Sequence, residues 1–226
     1  LIYVSTSNAQ DTHFSQYTSS GMLGQTGLVL VPTAQLSTDR AIAVGWSYIP
    51  LPSTVRDIST NIGEPEFARS ARINFLPFVE LSIRFTKTKE INELGDRSIF
   101  ARIQLLRETD KRPAFAIGAH DIVGQVPHYH SFYAVTTKHF NMNNGMIVGG
   151  HLGYGLKTRD NARNEQLLGL FGATTLRYRF VEAGLEYDGA NTNAALKLFW
   201  KNRISVSANL LGLKHIGCSA HAYFVL

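Results

Sequence analysis

Hydrophobic and polar residues alternate with a period of two along most of this chain. In residues 79–85, valine, leucine, isoleucine and phenylalanine take the odd positions, while glutamate, serine and arginine take the even ones. A β-strand turns such positions to opposite faces, whereas a helix would repeat every 3.6 residues. The same alternation returns in 101–105, 181–188, 194–201 and 217–226. The pattern therefore predicts an all-β chain.

Short turn signals, among them Asn143-Asn144-Gly145 and Asp188-Gly189, separate the alternating runs. Strands joined by such tight turns are antiparallel, because a parallel pair needs a crossover of a dozen or more residues. Candidate strands lie at 26–34, 41–49, 71–86, 97–108, 113–121, 129–140, 146–155, 167–179, 181–188, 193–201, 204–213 and 217–226. The segments 50–70 and 156–166 are predicted to be long loops. The predicted fold is an antiparallel up-and-down transmembrane β-barrel of roughly 10–12 strands.

The polar face of these strands is unusually rich in charge. It carries Glu80, Arg84, Arg102, Glu182, Glu186, Asp188, Lys197 and Lys201. A soluble sandwich or soluble barrel would turn this face to water, whereas a membrane barrel would turn it to the lumen and present the apolar face to lipid. Alternation alone does not separate these folds. Aromatic residues near the strand ends, and an alternating last strand with Phe224 close to its end, favour the membrane barrel.

Composition narrows the class of protein further. The mean hydropathy is −0.05, and no run of about 18 uncharged apolar residues is present, so the sequence predicts no transmembrane helix. Cys218 is the one cysteine, which rules out an intrachain disulfide and makes a zinc site unexpected. The formal net charge is +5, with no local cluster of basic residues free of acidic ones, so no nucleic-acid partner is expected.

The first residues have features of a targeting segment. Residues 1–4 are largely apolar, and Ser7-Asn8-Ala9 offers small residues of the kind found at signal-peptidase sites. We interpret residues 1–9 as the tail of a secretory signal peptide; a disordered arm or a first strand are the alternatives. The predicted organisation is a signal-peptide remnant with an N-terminal arm over 1–25 and a single outer-membrane β-barrel domain over 26–226.

The candidate site is a polar network in the barrel lumen. Its predicted members are Glu80, Arg84, Arg102, Glu186, Asp188 and Lys197. Charges inside a narrow barrel must be paired, because an isolated buried charge is too costly. A network that only stabilises the barrel is one interpretation, and a polar track or docking site for a glycan is the other. Neither a metal site nor a cofactor is predicted.

Two dipeptides raise the alternative of an embedded hydrolase or acyltransferase. They are His120-Asp121 and His130-Ser131. Nucleophilic catalysis needs a serine within hydrogen-bond reach of a histidine that a carboxylate orients, and adjacent residues of a strand point to opposite faces. No nucleophile-elbow motif supports the pair. His128 and His130 place two imidazoles on one face, but without a third ligand they make a weak metal site.

Several segments form an ordered set of motifs: residues 27–34 (Gly-Leu-Val-Leu-Val-Pro-Thr-Ala), 76–84 (Leu-Pro-Phe-Val-Glu-Leu-Ser-Ile-Arg), 96–98, 102–108, 113–124, 132–138 and 186–194 (Glu-Tyr-Asp-Gly-Ala-Asn-Thr-Asn-Ala). Together they resemble the YjbH family of bacterial outer-membrane proteins. Each motif alone is weak, but their order over residues 27–200 makes the resemblance fairly specific. It implies an outer-membrane β-barrel associated with exopolysaccharide production, and it brings no catalytic residue.

These observations lead to one main hypothesis and two alternatives. The main hypothesis is a non-enzymatic barrel of the bacterial outer membrane that serves exopolysaccharide export or another envelope assembly. Its expected partners are outer-membrane lipid, other envelope proteins and polysaccharide. The alternatives are an outer-membrane hydrolase or acyltransferase acting on lipid or polysaccharide, and a soluble barrel with an apolar ligand. The direction of the charged face distinguishes the soluble barrel from the two membrane hypotheses, because this face points inward only in a membrane barrel.

Overall fold

The chain folds into a closed barrel of twelve antiparallel strands in the computed structural model. The structure describes residues 19–37, 39–51, 65–88, 97–122, 130–156, 166–201 and 203–225. The strands are β1 Ala41–Ile49, β2 Glu66–Leu76, β3 Val79–Thr88, β4 Arg97–Leu106, β5 Ala114–His120, β6 Ser131–Asn141, β7 Met146–Leu156, β8 Gly169–Tyr178, β9 Val181–Tyr187, β10 Thr192–Trp200, β11 Ile204–Leu211 and β12 His215–Val225. The prediction of an all-β antiparallel barrel is confirmed.

Each strand pairs with its neighbour in sequence, and the last strand closes the barrel on the first. In the closing seam Ala41 lies opposite Val225 and Tyr48 lies opposite Cys218. The up-and-down order gives the barrel two different ends. The strand ends that flank 77–78, 107–113, 142–145, 179–180 and 201–203 lie at one end of the barrel, called here the short-turn end. The strand ends that flank 50–65, 89–96, 121–130, 157–168, 188–191 and 212–214 lie at the other, the long-loop end.

The alternation in the sequence sorts side chains between the lumen and the outside. On β10, Asn193, Ala195, Lys197 and Phe199 are buried in the lumen, while the residues between them point outward. The outward faces of the twelve strands, called here the outer belt, carry large exposed hydrophobic side chains on every side of the barrel. No helix in the described ranges is long and apolar enough to cross a membrane.

Exposed aromatic side chains concentrate near both edges of the outer belt. One group lies toward the short-turn end: Phe75, Phe78, Phe140, Tyr178, Phe180, Trp200 and Phe224. A second group lies toward the long-loop end: Trp46, Phe67, Phe85, Phe132, Tyr154 and Tyr187. Aliphatic residues such as Leu152, Leu176 and Leu196 lie between them. The belt therefore has two aromatic girdles around an aliphatic middle.

Two of the predicted strands differ in the structure. The segment 71–86 is not one strand, because a turn at residues 77–78 divides it into β2 and β3, and β2 already begins at Glu66 within the predicted loop 50–70. The segment 26–34 is not a barrel strand; it makes only isolated bridges and lies inside the lumen. The predicted signal-peptide tail at 1–9 and most of the two predicted loops lie outside the described residues.

Candidate functional site in the plugged lumen

The lumen is occupied by the N-terminal segment of the same chain. Residues 19–36, called here the plug, are almost all buried. The plug folds on itself through short-range hydrogen bonds, which include Gly21 N–H to the Gln25 carbonyl and Met22 N–H to the Val29 carbonyl. Its apolar side chains Met22, Leu28 and Val29 pack in one buried cluster with wall residues such as Phe100 and Leu211. The centre of the barrel is therefore filled by packed side chains of the plug and the wall.

A carboxylate from β9 binds the apolar run of the plug by its backbone. Glu186 accepts hydrogen bonds from the N–H groups of Val29, Leu30 and Val31 at 2.8, 2.8 and 3.1 Å. The side-chain amide of Asn193 adds a fourth hydrogen bond at 3.0 Å. Three successive N–H groups that point at one carboxylate make an anion-binding concavity. This contact explains why residues 28–31 can be buried without forming a strand.

A second carboxylate, Glu80 on β3, holds the turn of the plug at Thr26. It accepts a hydrogen bond from Thr26 N–H at 3.1 Å and another from the Thr26 hydroxyl. Arg102 lies 2.6 Å from the same carboxylate, and Arg72 lies 3.8 Å away. Both cations also reach the plug. Arg102 donates to the carbonyls of Thr26 and Thr33, and Arg72 donates to the Ser20 hydroxyl at 3.0 Å.

The ammonium of Lys197 on β10 is the third anchor of the plug. It donates to the carbonyls of Ser20 and Gly27 at 3.0 and 2.9 Å and to the Ser19 hydroxyl at 3.0 Å. These three bonds use the full donor capacity of the ammonium. The buried cation is therefore satisfied by main-chain carbonyls of the plug rather than by a carboxylate of the wall.

All six residues predicted for the lumen network are buried inside the barrel. Four of them, Glu80, Arg102, Glu186 and Lys197, bind the plug through the contacts above. Asp188 shapes the β9–β10 turn, since it accepts the N–H groups of Ala190 and Asn191 at 2.9 and 2.8 Å, and its other oxygen accepts the Asn193 amide that also donates to Glu186, at 2.9 Å. Arg84 lies against Ser98 on the neighbouring strand, at 3.5 Å. The partner of the network, the plug, was not predicted.

Sequence reasoning also missed several polar residues that contact the plug. Arg72 is one, although the alternation of polar Ser70, Arg72 and Asn74 with apolar Ala71 and Ile73 would have marked it as facing the lumen. Ser47 donates to the Met22 carbonyl at 2.8 Å, Gln104 donates to the Ala34 carbonyl at 2.8 Å, and the Thr137 hydroxyl accepts from Ala34 N–H at 2.8 Å. These uncharged residues carried no distinguishing signal in the sequence.

A small cavity remains between the plug and the wall toward the short-turn end. Its volume is about 50 Å³, and its wall side is lined by His139, Ile147, His151, Thr175, Arg177 and Glu182. The Glu182 carboxylate lies 3.7 Å from Arg177 and accepts the Ser19 hydroxyl at 3.1 Å. A space of this size holds about three or four water molecules. The cavity can therefore bind small polar groups but cannot pass a polymer.

The histidines of this cavity are held by one side chain from the connection 107–113 and one from a neighbouring strand. His139 Nδ1 lies 2.8 Å from Glu108, and His151 Nδ1 lies 3.0 Å from the Thr137 hydroxyl. Gly149 makes room for them, since a Cβ there would come within 3.1 Å of both imidazoles. In the part of the chain that the structure describes, no group of three or more histidine, cysteine or acidic side chains could hold a metal ion.

The two dipeptides considered for catalysis lie together at the long-loop end. His120 and Ser131 are paired across β5 and β6. The His120 imidazole, however, contacts the Gln25 side chain of the plug at 2.6 Å, and His130 Nδ1 contacts the backbone carbonyl of Asp121 at 3.1 Å. Within the described residues the Ser131 hydroxyl makes no hydrogen bond, so no serine–histidine contact is formed. His128, considered as a metal ligand, lies outside the described residues.

Comparison with known proteins identifies one family. The model of the YjbH family, described as “Exopolysaccharide biosynthesis protein YbjH”, matches residues 19–169. The matched range begins at the first plug residue and includes strands β1 to β7. A comparison with curated proteins gave no match.

Proposed function

The chain belongs to the YjbH family of exopolysaccharide biosynthesis proteins, and on this premise we propose that it is a non-enzymatic barrel of the bacterial outer membrane. In this proposal it is an accessory or structural component of exopolysaccharide export or of another envelope assembly. Its partners are outer-membrane lipid, other envelope proteins and the polysaccharide itself, and it has no nucleic-acid partner.

The observation that carries the proposal is the inverted polarity of the barrel. Arg84 and Lys197 are 0% and 1% exposed in the lumen, whereas Leu152 and Trp200 are 54% and 67% exposed on the outer belt. A soluble barrel would bury the second pair and expose the first. An apolar belt around a polar interior matches the arrangement of transmembrane barrels, in which lipid covers the outside.

The difference between the two ends of the barrel supports one orientation of the barrel in the outer membrane. Outer-membrane barrels have short turns on the periplasmic side, longer loops on the outside and aromatic girdles at both interfaces. The short turns at 77–78 and 179–180 and the long connections at 50–65 and 157–168 follow this rule, as do the two girdles. The short-turn end then faces the periplasm, together with the small cavity beside Glu182.

The plug supports a role in which the lumen is closed at rest. Barrels of intermediate strand number leave interior space that must be filled by side chains, a ligand or a plug. Here the plug fills it, and the charges of the wall are used to hold the plug. An accessory role in which other envelope proteins move the polymer, or displace the plug, is compatible with such a lumen, whereas an open diffusion pore is not.

Membrane insertion is tested by the behaviour of the expressed chain. We expect it in outer-membrane fractions, resistant to extraction with alkali or urea, and with faster gel mobility before boiling than after. A closed membrane barrel resists unfolding by detergent until it is heated, because every sheet hydrogen bond is internal. Recovery of a water-soluble monomer without detergent would refute the outer-membrane assignment.

The exopolysaccharide role is tested by deletion and complementation. We expect a deletion strain to secrete less polysaccharide and the wild-type chain to restore secretion. A variant with His130→Gln and Ser131→Ala should restore it equally, because the proposed role requires no catalytic residue. Loss of secretion in that variant, with a normally folded barrel in the membrane, would instead support the hydrolase or acyltransferase alternative.

A further inference from the structure

The outer belt is almost free of charge, and its few charged residues are all basic. In the described strands, the outward positions carry Arg69, Lys87, Arg97 and Lys138 and no acidic side chain. Lys138 lies at the short-turn end, where its ammonium donates to the carbonyls of Thr109 and Asp110 at 2.6 and 3.1 Å. The other three lie on the adjacent strands β2, β3 and β4, toward the long-loop end.

Strand register brings these three cations into one cluster. Arg69 on β2 pairs with Phe85 on β3, which in turn pairs with Arg97 on β4. Lys87 pairs with Phe67, one outward position further toward the long loops. Because neighbouring strands lie about 4.8 Å apart, the backbones of Arg69 and Arg97 are about 10 Å apart. Their long side chains can therefore converge over the Phe85 ring.

Cations on a lipid-facing surface carry an energetic cost. An arginine or lysine there destabilises a membrane barrel strongly at the midplane and only slightly near the interface. The level of this cluster is that of the aromatic girdle, close to Trp46 and Phe67, which lie 6.0 Å apart. Phosphate groups of membrane lipids are found at this depth, and basic clusters bind them.

An apolar groove begins beside the cluster on the same side of the barrel. It has a volume of about 530 Å³ and runs over the outward faces of β4 to β7. Its floor is made by small residues, Ala101, Ala119 and Ala134, and its walls by larger ones such as Phe132 and Tyr154. Arg97 precedes Ala101 by four residues on β4, a distance of about 13 Å along the strand. A headgroup at Arg97 would thus leave its acyl chain over the groove.

We infer that this surface binds an anionic, phosphorylated membrane lipid of the leaflet that faces the long loops. Arg69 and Arg97, with Lys87 above them, contact the phosphate, and one acyl chain lies in the groove floored by the three alanines. The inference rests on the proposed insertion in a membrane, and it adds a specific lipid site that a generic apolar belt does not require.

The test measures lipid enrichment around the folded barrel. The chain is reconstituted in bilayers of phosphatidylcholine with a minor fraction of phosphatidylglycerol, then extracted in mild detergent, and its retained lipid is identified by native mass spectrometry. We expect phosphatidylglycerol to be enriched. The double variant Arg69→Gln/Arg97→Gln should weaken its retention about 30-fold, equivalent to ~2 kcal/mol for two cations near the surface.

Two comparisons separate a specific lipid site from a general attraction between a basic protein and anionic lipid. The control Lys111→Gln/Arg203→Gln removes two exposed cations from the short-turn end and should leave enrichment unchanged. The variant Ala134→Trp fills the groove without a change in charge and should reduce retention of the lipid. Equal enrichment of the lipid in Arg69→Gln/Arg97→Gln and in its control would overturn the inference, as would displacement of the lipid by inorganic phosphate.

Heat-dependent gel mobility in each sample shows whether the barrel is inserted, so failure of the proposed function would be seen separately.

Discussion

Replacement of Glu186 by glutamine tests whether the lumen charges hold the plug. One carboxylate oxygen accepts Leu30 N–H and the Asn193 amide, and the other accepts Val29 N–H and Val31 N–H. Glutamine has nearly the same shape, but one of its two terminal atoms is an NH2 group that can only donate. Whichever way the amide is oriented, two of the four donors then face another donor.

The cost follows from those two lost contacts. A hydrogen bond to a charged acceptor contributes ~1.5–3 kcal/mol, and a buried donor left without a partner loses a similar amount. Two such losses bring the opened state of the plug closer to the closed state by ~3–6 kcal/mol. Since each ~1.4 kcal/mol is a factor of ten, the lower value corresponds to roughly hundredfold more frequent opening.

Hydrogen exchange at the amides of Val29, Leu30 and Val31 measures this opening directly. We expect their protection to fall roughly hundredfold or more in Glu186→Gln, while amides in the sheet change little. The matched control is Asp188→Asn, the same chemical change two residues further along and on the same face of the barrel. The Asp188 carboxylate shares the Asn193 amide with Glu186, but it accepts N–H groups of the β9–β10 turn rather than those of the plug. If the two variants gave the same protection at residues 29–31, the assignment of Glu186 as the anchor of the plug would be refuted.

Three further predictions concern the plug and the outer belt. Lys197→Met removes the ammonium that donates to the Ser20 and Gly27 carbonyls, although the Gly27 carbonyl still accepts the Ser19 hydroxyl. It should loosen the plug by ~2–4 kcal/mol and expose it to cleavage by chymotrypsin, and unchanged cleavage would count against the anchor. Deletion of residues 19–36 should convert a non-conducting barrel into an ion-conducting one in planar bilayers. If the deletion variant also failed to conduct ions, other residues would have to close the lumen. Leu152→Arg, at mid-height on the outer belt, should destabilise the barrel in lipid vesicles by ~2–4 kcal/mol in urea titrations, and a neutral result would place this surface outside the membrane.

The barrel could be predicted because its signal is local. Along β10 and β12 every second residue faces the lumen, and apart from Phe199 these residues are polar or small on β10. The alternation of β12 is the same, and both are visible in the sequence without knowledge of any partner strand. The inward direction of Glu80, Arg102 and Lys197 follows from the same alternation once the outside is taken to be lipid.

The division between β2 and β3 was hidden by the length of the turn between them. The outward residues of β2 have odd numbers, as in Ile73 and Phe75, and those of β3 are also odd, as in Val79 and Leu81. A turn of two residues shifts the numbering by an even step, so the alternation continues through it without interruption. Pro77 was the only local sign that the strand ends there.

The plug could not be predicted because its partners are distant in the sequence. Residues 28–31 form a short apolar run between Gly27 and Pro32, which fits a buried strand as well as any other buried segment. What decides its conformation is Glu186, which lies more than 150 residues away and takes the N–H groups that a neighbouring strand would otherwise bind. A single long-range contact of this kind produces no repeating pattern of residues in the sequence.

The plug and the barrel are held by separate sets of interactions. Strands β1 and β12 pair directly, so the sheet closes without any contribution from residues 19–36. Both ends of the plug lie toward the short-turn end, because Ser19 contacts Glu182 at the beginning of β9 and Gln35 contacts Glu108 in the connection 107–113. Displacement of the plug toward that end would therefore break lumen contacts and no sheet hydrogen bond. It follows that the charges of the wall can set how firmly the lumen is closed without affecting whether the barrel folds.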